Sequence, residues 1–215
     1  NCSWGSFGGG QYGQDIVDYA TINKGRLVVA ASGNSNNEAP FFPASYDGVL
    51  SVTGTNNTDT KWVNSSYGAF VDISAPGEAV YSTIFDNTYS FSSGTSFASP
   101  IVAAAAALVW SANPGLQPLQ VAEQLRATAD DIYAVPGNAS YVNKLGKGRL
   151  NMLRALTETP KSVRMQDILI VDGNDNAFSG NDTLRITGLL LNYLQPLTNL
   201  SVTITCNSPD VTILN

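Results

Sequence analysis

The spacing of apolar positions changes near residue 158 and divides the chain into two regions. Before that point, short continuous apolar runs at residues 27–31 and 48–53 alternate with helical spacing at 15–23, 101–112 and 118–128. Continuous apolar runs are typical of strands that are buried on both faces of a parallel sheet. Their alternation with helices indicates a doubly wound α/β fold. We therefore predict a mostly parallel α/β domain for residues 1–157.

Beyond residue 158 the apolar positions recur with a period of two. Leu184 and Ile186, and later Leu200, Val202 and Ile204, alternate with polar residues, a pattern that is typical of strands with one buried face. We predict a β-sandwich accessory module over residues 158–215, with about four strands where a typical sandwich has about seven. Cys206 continues the last alternation, so we expect its thiol to be buried.

The longest apolar segment, residues 101–112, follows a polar turn that contains Ser96. It consists almost entirely of Ala, Val, Leu and Trp, which predicts a helix buried on every side. The start of a helix has free N–H groups and the positive end of the helix dipole, and both favour a serine that becomes an alkoxide. Gly94 allows a tight turn there. Thr95 and Ser96 also suit a purely structural helix cap.

Composition excludes two classes of function. The formal net charge is −6 and only 13% of the residues are charged, whereas a nucleic-acid surface needs clustered Lys and Arg. The longest apolar run is far shorter than the roughly 20 residues of a membrane helix. We therefore expect neither a nucleic-acid partner nor a membrane span. Frequent Asn, Ser, Thr and Gly with sparse charge favour a secreted or cell-surface protein.

Residues 94–100 read Gly-Thr-Ser-Phe-Ala-Ser-Pro and match the catalytic-serine motif G-T-S-x-A-x-P of the subtilisin-like serine proteases at every fixed position. Residues 28–34, Val-Val-Ala-Ala-Ser-Gly-Asn, resemble the strand and turn that carry the oxyanion-hole asparagine of that family. Residues 146–151 resemble its closing motif. The resemblance implies that Ser96 is the nucleophile and that Asn34 and the Ser96 N–H donate to the oxyanion. It also implies a three-layer, mostly parallel sheet that is incomplete at its amino-terminal end.

The same resemblance implies a set of substrate-binding residues. Residues 1–5 resemble an N-x-S-x-G strand that pairs with the substrate backbone and walls the primary specificity pocket, and residues 43–46 lie where the family closes that pocket. Peptides or proteins are the implied substrates. The implied substrate-binding residues are Ser3, Trp4, Gly5, Ala31, Gly33, Pro43 and Thr95.

The chain contains no histidine, although a serine hydroxyl is a weak nucleophile without an adjacent general base. The resembling family has its triad in the order Asp, His, Ser. The simplest account is that this sequence is the carboxyl-terminal part of a longer protease, and that an upstream segment, its expected partner, supplies the Asp and the His.

Two alternatives remain open. The sedolisin-like acid proteases share a G-T-S-x-x-x-P motif and use carboxylates in place of histidine, but their oxyanion residue is an Asp where this sequence has Asn34. The parent protein could also be a catalytically inactive relative that acts as a binding scaffold. The upstream segment would distinguish these accounts.

One segment has calcium-like composition. Residues 172–176 read Asp-Gly-Asn-Asp-Asn, but Ala177 and Thr183 occupy the sixth and twelfth positions of the loop, which excludes an EF-hand. A polar turn between strands is the simpler interpretation. We expect no metal or other cofactor, with calcium at this loop as the alternative.

Overall fold

The structure is a computed structural model and describes residues 1–172, 179, 182–206 and 208–213. The strands are β1 (Val28–Ala31), β2 (Val49–Thr55), β3 (Ile73–Pro76), β4 (Val80–Ile84), β5 (Thr88–Ser92), β6 (Val163–Asp172) and β7 (Leu184–Asn192). The helices are α1 (Gln11–Asp18), α2 (Thr95–Ala112), α3 (Pro118–Ala127) and α4 (Met152–Thr157), with a π-helical turn (Tyr19–Asn23) after α1 and a 3₁₀ turn (Ala139–Tyr141).

The central sheet is parallel and has the order β1-β2-β3. Single backbone bridges extend it at both sides, because Cys2 pairs in parallel with Ala30 and Arg149 pairs in parallel with Ser74. Alternate strand residues face opposite sides, and helices cover both. This confirms the predicted parallel sheet between helical layers. One face packs on α2 and α3 through Val29, Leu50, Val52, Ile73, Val102, Val109 and Val121; the other packs on α1 through Val17, Ala30 and Val49.

Helix α2 is buried along one stripe only, so the prediction that it is buried on every side is wrong. Ala98, Val102, Ala105 and Val109 are fully buried. Leu108, on another face, is 50% exposed, because no described element packs over that side. By length and composition α2 is apolar enough to cross a membrane. Its buried stripe packs instead on the sheet, as in the core helix of a globular domain.

The structure corrects two predicted helix starts. Gly94, in extended conformation, is the N-cap of α2, without a side-chain cap, so neither Thr95 nor Ser96 has the capping role. Helix α1 begins at Gln11 and not near residue 15. Its first turn is polar and lacks apolar periodicity, and it is stabilised by a side-chain hydrogen bond from Gln11 to Asp15. Pro118 opens α3 as predicted.

Residues 146–151 bind the end of the domain to the sheet. Gly146 and Gly148 have φ of +72° and +126°, and a Cβ at either would overlap backbone, that of Asp72 or of Asp130. Only glycine fits both requirements. Arg149 then forms an ion pair with Asp130 at 2.8 Å. The segment is structural, and it precedes α4 as the sequence predicted.

The region after residue 158 forms an antiparallel hairpin, β6–β7, and the predicted β-sandwich is not confirmed. Residues 200–206 contain no strand, because no described strand lies beside them, and Leu200, Val202 and Ile204 are exposed. Cys206 is a free and exposed thiol, so its predicted burial is wrong. Of the candidate calcium loop, residues 173–176 lie outside the described residues.

The hairpin is connected to the α/β part by a cluster of charges. Arg126 lies 3.1 Å from Asp72 and 2.5 Å from Glu123, and Arg164 of β6 lies 3.6 Å from both carboxylates. Burial raises the pKa of Asp72, and the nearby Arg126 and Arg164 oppose that shift. The residue 158 boundary stays a prediction.

Candidate active site

Ser96 is the second residue of α2, where the backbone leaves a tight turn. The turn is anchored by the Gly94 N–H, which donates to the Gly77 carbonyl at 2.7 Å. Ser96 Oγ donates to the Ser3 carbonyl at 3.1 Å, and Ser3 Oγ donates to the Ser96 carbonyl at 2.8 Å. Ser96 is partly exposed. The hydroxyl of a partly exposed serine therefore lies in the first turn of an 18-residue helix, where the helix dipole favours negative charge.

Asn34 follows the carboxyl end of β1 and is fixed by the start of α2. Its Oδ1 accepts hydrogen bonds from the Thr95 N–H at 2.9 Å and from Thr95 Oγ1 at 2.8 Å. The buried Thr95 hydroxyl accepts in turn from the Gly33 N–H at 3.3 Å. Because two donors meet the amide oxygen, the orientation of the amide is determined. The Nδ2 donor of Asn34 makes no hydrogen bond to another described residue.

Two N–H donors converge beside Gly94. The point that a Cβ on Gly94 would occupy lies 3.4 Å from Asn34 Nδ2 and 3.6 Å from the Ser96 nitrogen. The Ser96 N–H has no acceptor among the described residues, as expected at a helix start. The absence of a side chain at Gly94 keeps this space open. Two N–H donors therefore border one open space, and one of them belongs to the residue that carries the Ser96 hydroxyl.

The implied substrate-binding residues fall into two groups. Ser3 donates a hydrogen bond to Ser96 and Thr95 donates one to Asn34, while Gly33 donates one to Thr95. The others lie further from Ser96 in the hydrogen-bond network: Ala31 is buried in β1, Pro43 is buried in the loop before β2, Gly5 adjoins an aromatic ring, and Trp4 is 68% exposed. Binding of substrate by any of the seven remains a prediction.

Sequence reasoning missed an aromatic residue beside this site. The ring of Phe41 lies against the Cα atoms of both Gly5 and Gly33, since a Cβ on either would meet it. Phe7 packs edge-on against the same ring, with centroids 5.4 Å apart. The only signal was the position of Phe41, two residues before the segment 43–46 that the resemblance assigned to the pocket.

In the part of the chain that the structure describes, no side chain accepts a hydrogen bond from the Ser96 hydroxyl. The acceptor of the Ser96 hydroxyl is a backbone carbonyl, which is not a general base, and the chain has no imidazole. Among the described residues no group of three or more His, Cys, Asp or Glu could hold a metal ion. Within the described ranges, no side chain that could act as a general base is hydrogen-bonded to the Ser96 hydroxyl, and a hydroxyl without such a base is a weak nucleophile.

Comparison with known proteins gives a consistent family match. The model of the subtilase family matches residues 1–156. Thermitase from Thermoactinomyces vulgaris is 41% identical over 143 residues, which are 66% of this chain and 48% of thermitase. The thermophilic serine proteinase of Bacillus sp. (strain AK1) is 40% identical over 144 residues, or 67% of this chain and 34% of that protein. The chain thus spans half or less of the length of these curated relatives.

Solved structures show the same likeness. The prenylagaramide maturation protease PagA superposes with a TM-score of 0.64 at 27% identity, over 73% of this chain and 60% of that one. The self-cleaved protease domain of PatA superposes with a TM-score of 0.63 at 28% identity, over the same shares. Both agree with the predicted α/β architecture.

Proposed function

The chain belongs to the subtilase family, and on that premise we propose that it supplies the nucleophile and the oxyanion donors of a secreted or cell-surface serine endopeptidase. The observation that carries this proposal is that Asn34 Nδ2 and the N–H of Ser96 itself border the same open space beside Gly94. Helix capping does not explain this arrangement. The N-cap of α2 is Gly94, and no side chain makes a capping hydrogen bond there.

The chemistry follows from these groups. Ser96 Oγ attacks the scissile carbonyl carbon, and its proton passes to a general base. The negative charge moves to the carbonyl oxygen, which accepts hydrogen bonds from Asn34 Nδ2 and the Ser96 N–H. Collapse of this intermediate expels the amine, which takes up the proton, and leaves an acyl-enzyme on Ser96 that water then hydrolyses. Fixed donors cost no reorganisation as the charge develops.

The base must come from outside the described groups, and we propose that a preceding segment of the same protease supplies it as a His–Asp pair. The exposed side of α2 at Leu108 offers an apolar surface for such a segment. The chain by itself is then predicted to be inactive. An inactive scaffold is the second candidate function, because this sequence contains no histidine. It would apply if the upstream segment also lacks the catalytic histidine.

Peptides or proteins are the proposed substrates. Ser3, Trp4 and Gly5 would run beside the substrate backbone, while Ala31, Gly33 and Pro43 would line the pocket for the residue before the scissile bond. Calcium at residues 172–176 stays an expectation from the sequence, because residues 173–176 lie outside the described residues. The proposal requires no cofactor, because nucleophile, base and oxyanion donors suffice for acyl transfer.

The test compares the chain alone, the chain with its upstream segment, and the Ser96→Ala variant of the complete protein. A fluorogenic peptide measures turnover, and a fluorophosphonate probe measures labelling of Ser96. We expect activity and labelling only in the complete protein, and loss of both in Ser96→Ala. Ser93→Ala, a nearby exposed serine, is the matched control and should retain both. A complete protein that is inactive and unlabelled would identify the scaffold, and activity that survives Ser96→Ala would exclude Ser96 as the nucleophile.

A further inference from the structure

Lys61 is a buried lysine without a carboxylate partner. Lys61 is only 6% exposed, and it takes part in none of the ion pairs within the described residues. Its Nζ donates to Asn36 Oδ1 at 2.8 Å and to the carbonyls of Trp62 and Val63 at 3.0 and 3.2 Å. An ammonium has three N–H donors, and all three have acceptors here.

Two aromatic rings complete the surroundings of this ammonium. Nζ lies 5.1 Å from the ring centroid of Tyr67 and 5.0 Å from that of Tyr141, and the two rings pack edge to face. Both distances are within the range of cation–π attraction. Burial nevertheless lowers the pKa of Lys61 to about 8. Keeping this ammonium buried is costly, so its contacts point to a role beyond filling space.

One of those contacts reaches the turn that carries Asn34. Asn36 lies two residues after Asn34 and has a left-handed backbone with φ of 48°. Its N–H donates to the Asn64 carbonyl at 3.0 Å, so backbone and side chain are both tied to the segment that contains Lys61. The contact from Lys61 is charge-assisted and is the stronger of the two.

We propose that Lys61 is a positioning residue, whose ammonium holds Asn36 and thereby fixes the turn that presents Asn34 to the oxyanion. The inference rests on the proposed function, because it concerns the oxyanion donor of that site. Lys61 contacts neither Ser96 nor the space beside Gly94. Its effect is therefore on the placement of the Asn34 amide and not on the chemistry directly.

The first test is Lys61→Met in the complete protease, with kcat expressed per active site titrated by the fluorophosphonate probe. We expect kcat to fall about 10-fold, since loss of an oxyanion donor outright costs about 10² to 10³, a range known from subtilisin. KM should stay within about twofold, because substrate contacts are unchanged. Lys24→Met is the matched control: Lys24 also lies over a tyrosine ring, at 5.1 Å, but is exposed, and its removal should leave kcat unchanged.

The second test asks whether Lys61 acts through Asn36. Asn36→Gly removes the amide without straining the left-handed backbone, and a double-mutant cycle with Lys61→Met measures their coupling. We expect the double variant to have about the kcat of either single variant. Multiplying losses, or a wild-type kcat per titrated site in Lys61→Met, would overturn the inference while Ser96→Ala still abolishes activity. Failure of the proposed function would appear differently, as activity that persists in Ser96→Ala.

Discussion

Thr95→Val tests how the oxyanion donor is oriented, because it removes one oxygen and keeps the shape of the side chain. The Thr95 hydroxyl is buried, donates to Asn34 Oδ1 at 2.8 Å and accepts from the Gly33 N–H at 3.3 Å. In the variant a methyl group takes the place of the oxygen. It cannot approach Asn34 Oδ1 to 2.8 Å, so the amide must move by several tenths of an ångström.

The expected magnitudes follow from the two lost hydrogen bonds. The Gly33 N–H is buried and would lose its acceptor, which costs about 1–3 kcal/mol. Asn34 is an exposed residue, and its Oδ1 keeps the hydrogen bond from the Thr95 N–H, so the loss there is about 0.5–1 kcal/mol. We expect the free energy of unfolding to fall by about 2–3 kcal/mol. Because the amide moves but retains one anchor, kcat should fall about 10-fold, equivalent to about 1.4 kcal/mol in the barrier.

The assay combines denaturant unfolding with turnover of a fluorogenic peptide by the complete protease. Thr95→Ser is the matched control, because it keeps the hydroxyl and loses only the methyl group. We expect it to lose about 1 kcal/mol of stability and to keep kcat within about twofold. The reasoning is refuted if Thr95→Val retains wild-type kcat, or if Thr95→Ser loses as much kcat as Thr95→Val.

Three further variants test other parts of the structure. Burial lowers the pKa of Lys61 from 10.5 to about 8, so between pH 8 and 10.5 the folded state binds fewer protons than the unfolded state. The difference in free energy of unfolding between the wild type and Lys61→Met should therefore shift in favour of the wild type as the pH rises through this range. A difference that stays constant would contradict this. Burial acts to raise the pKa of Asp130, but hydrogen bonds from Asn151 and Arg154 outweigh it and hold the pKa below its usual value. The carboxylate therefore contributes stability above pH 3.8 that is lost at lower pH. Asp130→Asn should abolish that part of the acid-dependent loss, as measured by equilibrium unfolding. Phe97→Met should make the complete protease lose activity faster in hydrogen peroxide, because a sulfoxide would form beside Ser96; equal inactivation rates would argue against it.

Elements that follow from local periodicity were predictable from the sequence. The continuous apolar runs gave β1 and β2 within two residues, and the proline at Pro118 marked the start of α3. These signals are local, since burial on both faces and a missing N–H constrain the residue itself. The family resemblance of two short motifs implied that Asn34 and Ser96 share one site; the structure brings them to the same space beside Gly94, and their catalytic roles stay predictions.

Features that depend on long-range packing were not predictable. An all-apolar sequence predicts a helix that is buried on every side. Whether the side of α2 that carries Leu108 is covered depends on another segment packing there, and the periodicity of α2 contains no information about that segment. Alternation at Leu200 and Ile204 predicts a strand only if a partner strand exists. Lys61 gave no signal at all, because its aromatic surroundings come from Tyr67 and Tyr141, which are distant from each other in sequence.

The arrangement divides the proposed site into two physically separate halves. The oxyanion half consists of Asn34 and the start of α2, and it is held by Thr95, whose hydrogen bonds join the carboxyl end of β1 to the amino end of α2. These donors are neutral groups fixed by the parallel sheet and the helix packed on it, so their placement does not depend on a base. The proton-transfer half requires a general base, and the sequence contains no histidine to serve as one. Substitutions that remove the Thr95 hydroxyl should therefore lower transition-state stabilisation without changing the pKa that governs the pH profile, whereas changes in the base-bearing segment should move that pKa.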